Sequence, residues 1–128
     1  MFLDTSILIE IFRTGKETKK FDEIFSYIKD EPLFISIIQI GEISDWCLKN
    51  KIDAADRIVK LKKILNIIPL NENFCLEGSK IKYEMRKAKI SDFSLIDGII
   101  LASARSINQK LLTIDNDFHL ANDAIILD

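Results

Sequence analysis

Asp4, Glu42, Asp97, Asp115 and Asp117 are the residues of this 128-residue sequence whose type and setting could do chemistry. Asp4 directly follows the short apolar run Met1-Phe2-Leu3. Asp97 stands three residues after Ser94, ahead of the apolar stretch that continues through Ala104. Asp115-Asn116-Asp117 follows Lys110-Leu111-Leu112-Thr113-Ile114 at once, and Glu42 lies in a segment that is apolar on most sides. Carboxylates brought together repel and raise one another's pKa, a conflict that a divalent cation removes. An all-oxygen set without His or Cys suits Mg²⁺ or Mn²⁺ rather than zinc. Thr5, Ser6 and Thr113 lie near enough in sequence to donate hydrogen bonds to these carboxylates or to a phosphate. His119, the only histidine, fits a surface or satisfied polar role.

Each acid also has a plainer explanation. Asp4 could cap a first helix, with Thr5 or Ser6 sharing the task. Ser94 and Asp97 have the spacing of a capping box, and Asp-Asn-Asp is ordinary turn chemistry. Joint placement weighs against these separate accounts, because independent caps need not share one edge of a sheet.

The elements that would position the acids alternate between strand and helix. Met1-Phe2-Leu3 reads as a first strand, followed by a helix from Asp4-Thr5-Ser6 to Gly15. A second helix runs from Glu17 to Lys29, with Phe21, Ile24, Phe25 and Ile28 at helical spacing. Leu33-Phe34-Ile35 is a second strand. Ser36 and Gln39 then form a capping-box pattern for a helix to about Asn50. Its main stripe is Ile37, Ile40, Ile43 and Cys47, with Glu42 on the side of Ile38 and Trp46. Asp53 to Asn66 is amphipathic, and Ile67-Ile68-Pro69 is a strand whose proline belongs at its end or on a sheet edge. Asn71 opens a helix to Lys87. Ser94 opens a buried helix carrying Ile96, Ile100, Leu101, Ala104 and Ile107, in which Ala102, Ser103 and Ala104 allow close approach to a sheet. Residues 110–114 form a strand, and Ala124 to Leu127 the last one. Alternation with connections of this length predicts a parallel sheet covered on both faces, an α/β fold. Right-handed crossovers then bring the acids to one edge, where open α/β sheets bind ligands.

Residues 1–128 fit one domain with a substantial core. A hydrophobic fraction of 48% and a charged fraction of 30% are those of a soluble globular protein. No apolar run reaches membrane-span length and no signal-peptide pattern opens the chain, so a cytoplasmic protein is expected. Cys47 and Cys75 lack metal-type spacing and fall in apolar helical patterns, which predicts two buried, reduced thiols. The formal net charge of −2 argues against attachment to nucleic acid by bulk charge. Removing the five candidate acids leaves +3, a mildly basic surround.

The sequence resembles PIN-domain ribonucleases and, in length and layout, the VapC-type toxins of toxin–antitoxin pairs. The matching pieces are Leu3-Asp4-Thr5-Ser6, Ile40-Gly41-Glu42-Ile43, Ser94-Leu95-Ile96-Asp97 running into Ala102-Ser103-Ala104, and Leu112-Thr113-Ile114-Asp115-Asn116-Asp117-Phe118. They keep the family's order and spacing over essentially the whole chain. The resemblance implies a three-layer α/β/α domain with a five-stranded parallel sheet of order 3-2-1-4-5. It implies an acidic quartet of Asp4, Glu42, Asp97 and Asp115, with Asp117 auxiliary. It also implies homodimers, and neutralisation by a small antitoxin whose tail covers the site.

The chemistry so implied is metal-assisted hydrolysis of an RNA phosphodiester. Asp4 and Asp97 would hold a Mg²⁺ or Mn²⁺ ion, with Asp115 or Asp117 binding through water or holding a second one. Glu42 would orient or deprotonate the attacking water. Trp46 and Tyr83 mark helices expected at a dimer interface. Three alternatives stand beside this. One is an RNA-processing nuclease outside a toxin pair, and another is a non-catalytic PIN-like binding module. The third, a phosphotransfer enzyme or receiver, is weakened because no Gly-rich phosphate loop is present.

Overall fold

The computed structural model describes residues 1–14 and 18–128. Among these, five short strands form one parallel sheet: β1 (Phe2–Leu3), β2 (Phe34–Ser36), β3 (Asn66–Ile68), β4 (Leu111–Thr113) and β5 (Ala124–Ile126). Their order is β3-β2-β1-β4-β5. Phe2 pairs with Phe34 on one side and with Leu111 on the other, and Leu112 pairs with Ile125. This is the order that the resemblance implies, with β1 at the centre.

The helices are α1 (Thr5–Thr14), α2 (Lys19–Ile28), α3 (Ile38–Lys49), α4 (Ala54–Lys62), α5 (Glu72–Lys87) and α6 (Leu95–Ser106). Strand periodicity divides the core between the two faces of the sheet. Leu3, Ile35 and Leu112 pack with Ile7, Ile24, Ile43 and Leu61 of α1 to α4. Phe2 and Leu111 pack on the opposite face with Met85, Ile100, Leu101 and Ala104 of α5 and α6, and with Phe93 and Phe118. None of these helices is long and apolar enough to cross a membrane.

Several boundaries differ from the sequence expectation, each for a local reason. The second strand is shifted one residue onward, so Ser36 ends β2 instead of capping α3. Half of the expected reciprocal pair survives, because Gln39 Oε1 accepts from the Ser36 N–H at 2.8 Å. The Ser36 hydroxyl accepts instead from the Ile38 N–H at 3.3 Å. The stripe on α3 is also rotated: Ile37 is 43% exposed, whereas Gln39 is fully buried. The fourth helix stops at Lys62, leaving Leu65 buried in the connection and Asn66 in β3. Pro69 follows the end of β3, an edge strand as its missing N–H requires. Cys47 is buried but Cys75 is exposed, because the inner face of α5 is Phe74, Gly78 and Met85. The ends expected at Gly15 and Glu17 fall outside the described residues.

The α6 helix approaches α5 more closely than its small residues alone suggest. A methyl group at Gly98 would overlap the Gly78 carbonyl, and one at Gly78 would lie 2.7 Å from the Ile99 backbone nitrogen. This glycine contact brings the start of α6, next to Asp97, close against α5.

Candidate active site at the carboxyl edge of the sheet

Asp4 leaves β1 with its backbone N–H bonded to the Leu112 carbonyl at 2.9 Å, which ties the central strand's end to β4. Its side chain is 5% exposed. Two hydroxyls converge on its Oδ2: Ser6 Oγ donates at 2.7 Å and Thr113 Oγ1 donates at 2.7 Å. Both hydroxyls are supplied from behind by backbone N–H groups beyond β4. Ile114 N–H donates to Ser6 Oγ at 3.1 Å, and Asp115 N–H donates to Thr113 Oγ1 at 2.9 Å. Each hydroxyl thus accepts from one N–H and has its own proton to give to Asp4, and the two oxygens stand 3.3 Å apart. That arrangement suits an ionised carboxylate, although burial opposes ionisation.

Asp97 is the acid of the capping box and also stands among the other acids. Its Oδ2 accepts from the Ser94 N–H at 2.9 Å while its own N–H donates to Ser94 Oγ at 3.0 Å, a complete capping box on α6. The same carboxylate faces Asp4 and Asp115. Burial first, then those two charges, push its pKa to about 6, against the pull of the Ser94 bonds.

Glu42 projects from α3 and accepts from Thr5 Oγ1 at 2.6 Å. Burial raises its pKa, and the charges of Asp4, Asp97 and Asp45 add to that effect while the Thr5 bond opposes it. Asp4 is likewise raised by burial and, further, by Asp115, against its hydroxyl donors. Asp115 caps a 3₁₀ turn over Asn116–Phe118 by accepting the Asp117 N–H at 2.9 Å. Partial burial, Asp115 and Asp92 raise Asp117, and His119 opposes them.

The five acids thus form one electrostatically linked group, and all four of its members with a resolved shift are displaced upward. Asp45 and Asp92 extend it. Among the described residues, none of the ion pairs involves any of the five. Nor do any three Asp, Glu, His or Cys side chains there stand close enough to form a ready-made ligand shell. The donor chemistry therefore fits a hard cation bound through one or two carboxylates and water, as Mg²⁺ is commonly held. It does not fit a cage of three direct protein ligands.

Gln39 is the polar residue at this edge that sequence reading assigned only to a cap. It is fully buried, with Nε2 donating to the Leu3 carbonyl at 2.8 Å and to Thr5 Oγ1 at 3.2 Å. A glutamine between Ile38 and Ile40 was the available signal. Trp46, expected at an interface, is half-buried and stacks on Phe12 at a centroid distance of 6.1 Å. Tyr83 is 64% exposed.

The structure defines an α/β fold with one parallel sheet of order β3-β2-β1-β4-β5 and acids at its carboxyl edge. Residues 1–124 match the PIN domain family model, and the chain belongs to that family. The chain is similar in structure to VapBC-1 from nontypeable Haemophilus influenzae, at 24% identity over 99% of this chain and 96% of that one, with a TM-score of 0.74. A toxin–antitoxin complex from Klebsiella pneumoniae matches at 22% identity over 97% and 94%, with a TM-score of 0.74. Mycobacterium tuberculosis VapC20, described as a Sarcin-Ricin loop cleaving toxin, matches at 16% identity over 94% of each chain, with a TM-score of 0.71. No curated protein sequence matches.

Proposed function

We propose that this PIN-domain chain is a divalent-metal-dependent endoribonuclease and the toxin of a toxin–antitoxin pair. The observation that carries the nuclease reading is the linked acidic group, raised in pKa and without a cationic partner among the described residues. Kinship with the PIN family, and likeness to one structure described as a toxin–antitoxin complex and another described as a toxin, support the toxin reading.

Asp4 and Asp97 are the residues we assign to a Mg²⁺ or Mn²⁺ ion, with Asp115 or Asp117 reached through water. When bound, such an ion lowers the pKa of its water and bears charge developing on the phosphoryl oxygens. The chain's own residues do the rest. Ser6 and Thr113 hold Asp4 by its Oδ2, and the Ser94 N–H holds Asp97 by its Oδ2. Glu42, held through Oε1 by Thr5, accepts a proton from the attacking water as the phosphorus–oxygen bond forms. The ribose oxygen leaves with a proton from solvent. We assign Arg86, whose Nε donates to the Phe93 carbonyl at 3.0 Å just before α6, to an RNA phosphate.

For the antitoxin we assign the apolar cleft of about 390 Å³ lined by Leu8, Ile11, Phe12, Ile28 and Ile64, with Arg57 and Lys60 at its side. It suits an amphipathic segment with acidic flanks. The exposed Tyr83 side of α5 is the surface we assign to a second copy of the chain.

Cleavage of a mixed RNA pool, with Mg²⁺ or Mn²⁺ and again with EDTA, tests the reading. Cleavage confined to the metal arms supports it. Equal cleavage in EDTA removes the metal mechanism, and no cleavage with any divalent ion turns the account toward a binding module.

A further inference from the structure

We propose that Gln39 is a positioning residue that sets the direction of the Thr5 hydroxyl and thereby aims Glu42. The proposal rests on the nuclease reading for its kinetic consequences, but not for its geometry. A glutamine buried among isoleucines destabilises the fold unless its amide is satisfied. Here the satisfaction is complete and directional. The Ser36 N–H can only donate, so the atom it meets at 2.8 Å is the amide oxygen. The Leu3 carbonyl can only accept, so the atom it meets at 2.8 Å is the amide nitrogen. Two backbone groups therefore fix which way the amide faces, a choice that is otherwise ambiguous for glutamine.

The remaining N–H of Nε2 points at Thr5 Oγ1, 3.2 Å away. Thr5 Oγ1 accepts that proton and keeps one of its own to give. Glu42 Oε1 stands 2.6 Å from it as the recipient. The relay runs from Ser36 through Gln39 and Thr5 to Glu42, and each step has one allowed polarity. It ends with Glu42 as an acceptor at Oε1, leaving Oε2 for water. Gln39 and Glu42 are three residues apart on α3 and so share a face, and Thr5 bridges them from the start of α1.

A plain staple between β1 and β2 would use the Leu3 and Ser36 bonds and have no need of Thr5. The two roles separate by experiment. Gln39→Met keeps the length of the side chain and removes the relay, Thr5→Val cuts it one step later, and Thr5→Ser restores it. Loss of a group that orients a functional side chain lowers activity roughly 10- to 100-fold. Both Gln39→Met and Thr5→Val should lower kcat for RNA cleavage by about tenfold at little-changed KM. The double variant should be no worse than either alone, because neighbours acting through one path are not additive. Thr5→Ser should return to within about twofold of the parent.

Full kcat in Thr5→Val, or losses that multiply in the double variant, would overturn the proposal. Should Gln39→Met fail to fold, Thr5→Val, which leaves the Gln39 bonds to Ser36 and Leu3 in place, carries the kinetic test alone. A crystal structure of the folded Gln39 variant decides the geometry without any assay. Glu42 displaced from Thr5 Oγ1 supports the relay, and Glu42 unmoved refutes it. An inactive parent would sink the nuclease reading, and the position of Glu42 in that crystal structure would still decide the relay.

Discussion

Asp123 and Asp97 are the same residue type at opposite ends of one parallel sheet, and the fold treats them in opposite ways. At the amino end of β5, Arg105 donates to Asp123 through Nε at 2.7 Å and through a second guanidinium nitrogen at 3.1 Å. Those bonds hold the Asp123 carboxyl below its ordinary range. At the carboxyl end, Asp97 has Ser94 as its donor among the described residues and faces Asp4 and Asp115. Its pKa rises to about 6. One edge supplies its own countercharge, and at the other none of the ion pairs among the described residues reaches the acids. A buried acidic group that persists without an internal cation marks function more strongly than stability.

The largest effect that would break this contrast comes from its most buried member. Asp4→Asn keeps the shape of the side chain and removes the charge. RNA cleavage in Mg²⁺ should fall by roughly a thousandfold or more, because several kcal/mol of charge stabilisation are lost. Single-turnover cleavage of a labelled RNA measures it, and near-parent rates would dismiss the metal assignment of Asp4. Next is Glu42→Gln, which retains an acceptor for Thr5 but cannot take a proton. Its kcat should drop on the order of a hundredfold, with RNA affinity measured by filter binding little changed. A drop in affinity with kcat intact would make Glu42 a binding residue instead.

Asp97 sharpens the comparison through pH. Its folded pKa of about 6 lies above the ordinary 3.8, so the folded chain binds that proton more tightly than the unfolded chain does. The stability it contributes is therefore fully present below pH 3.8 and is lost as pH rises through about 6. Asp97→Asn escapes that loss, by roughly 1 kcal/mol after allowance for solvent screening of a half-buried group. It gives back about 0.3–1 kcal/mol of favourable charge at the start of α6. In EDTA at pH 7 the variant should be at least as stable as the parent, and its relative gain should vanish near pH 4. Thermal unfolding across that range reads both, and a variant weaker at pH 7 would leave Asp97 as a cap alone.

The smallest effect is expected at the other edge. Arg105→Ala removes a partly exposed pair and should cost about 1 kcal/mol at most, with cleavage unchanged. A large loss of cleavage would mean that the two edges are coupled.

The alternation of strand and helix was legible because each strand is a short apolar run and each helix carries its own period. Order at the sheet centre was legible only through resemblance, since nothing in Phe2-Leu3 says that it pairs with both Phe34 and Leu111. Ile37 and Gln39 show where periodicity fails. Hydrophobicity places the isoleucine inside, but the unpaired backbone groups at the ends of β1 and β2 demand a polar partner, and the glutamine supplies it. Cys75 fails for a simpler reason, being apolar enough to fit either side of a long helix. At the edge of the sheet, the proximity of Asp4, Asp97 and Asp115 followed from topology. The two hydroxyls on Asp4 Oδ2 depend on side-chain directions that spacing does not contain.

Among the described residues the carboxyl edge has no ion-paired countercharge, and a divalent cation is what we expect to supply it. Thermal unfolding of the parent, Asp97→Asn and Arg105→Ala, each in EDTA and in excess Mg²⁺ or Mn²⁺ at pH 7, tests this most directly. A ligand that binds only the folded state raises its stability in proportion to how tightly it binds. The parent and Arg105→Ala should gain equally from the metal, and Asp97→Asn should lose most of that gain. Equal gains in all three, or no gain in the parent, would contradict the account.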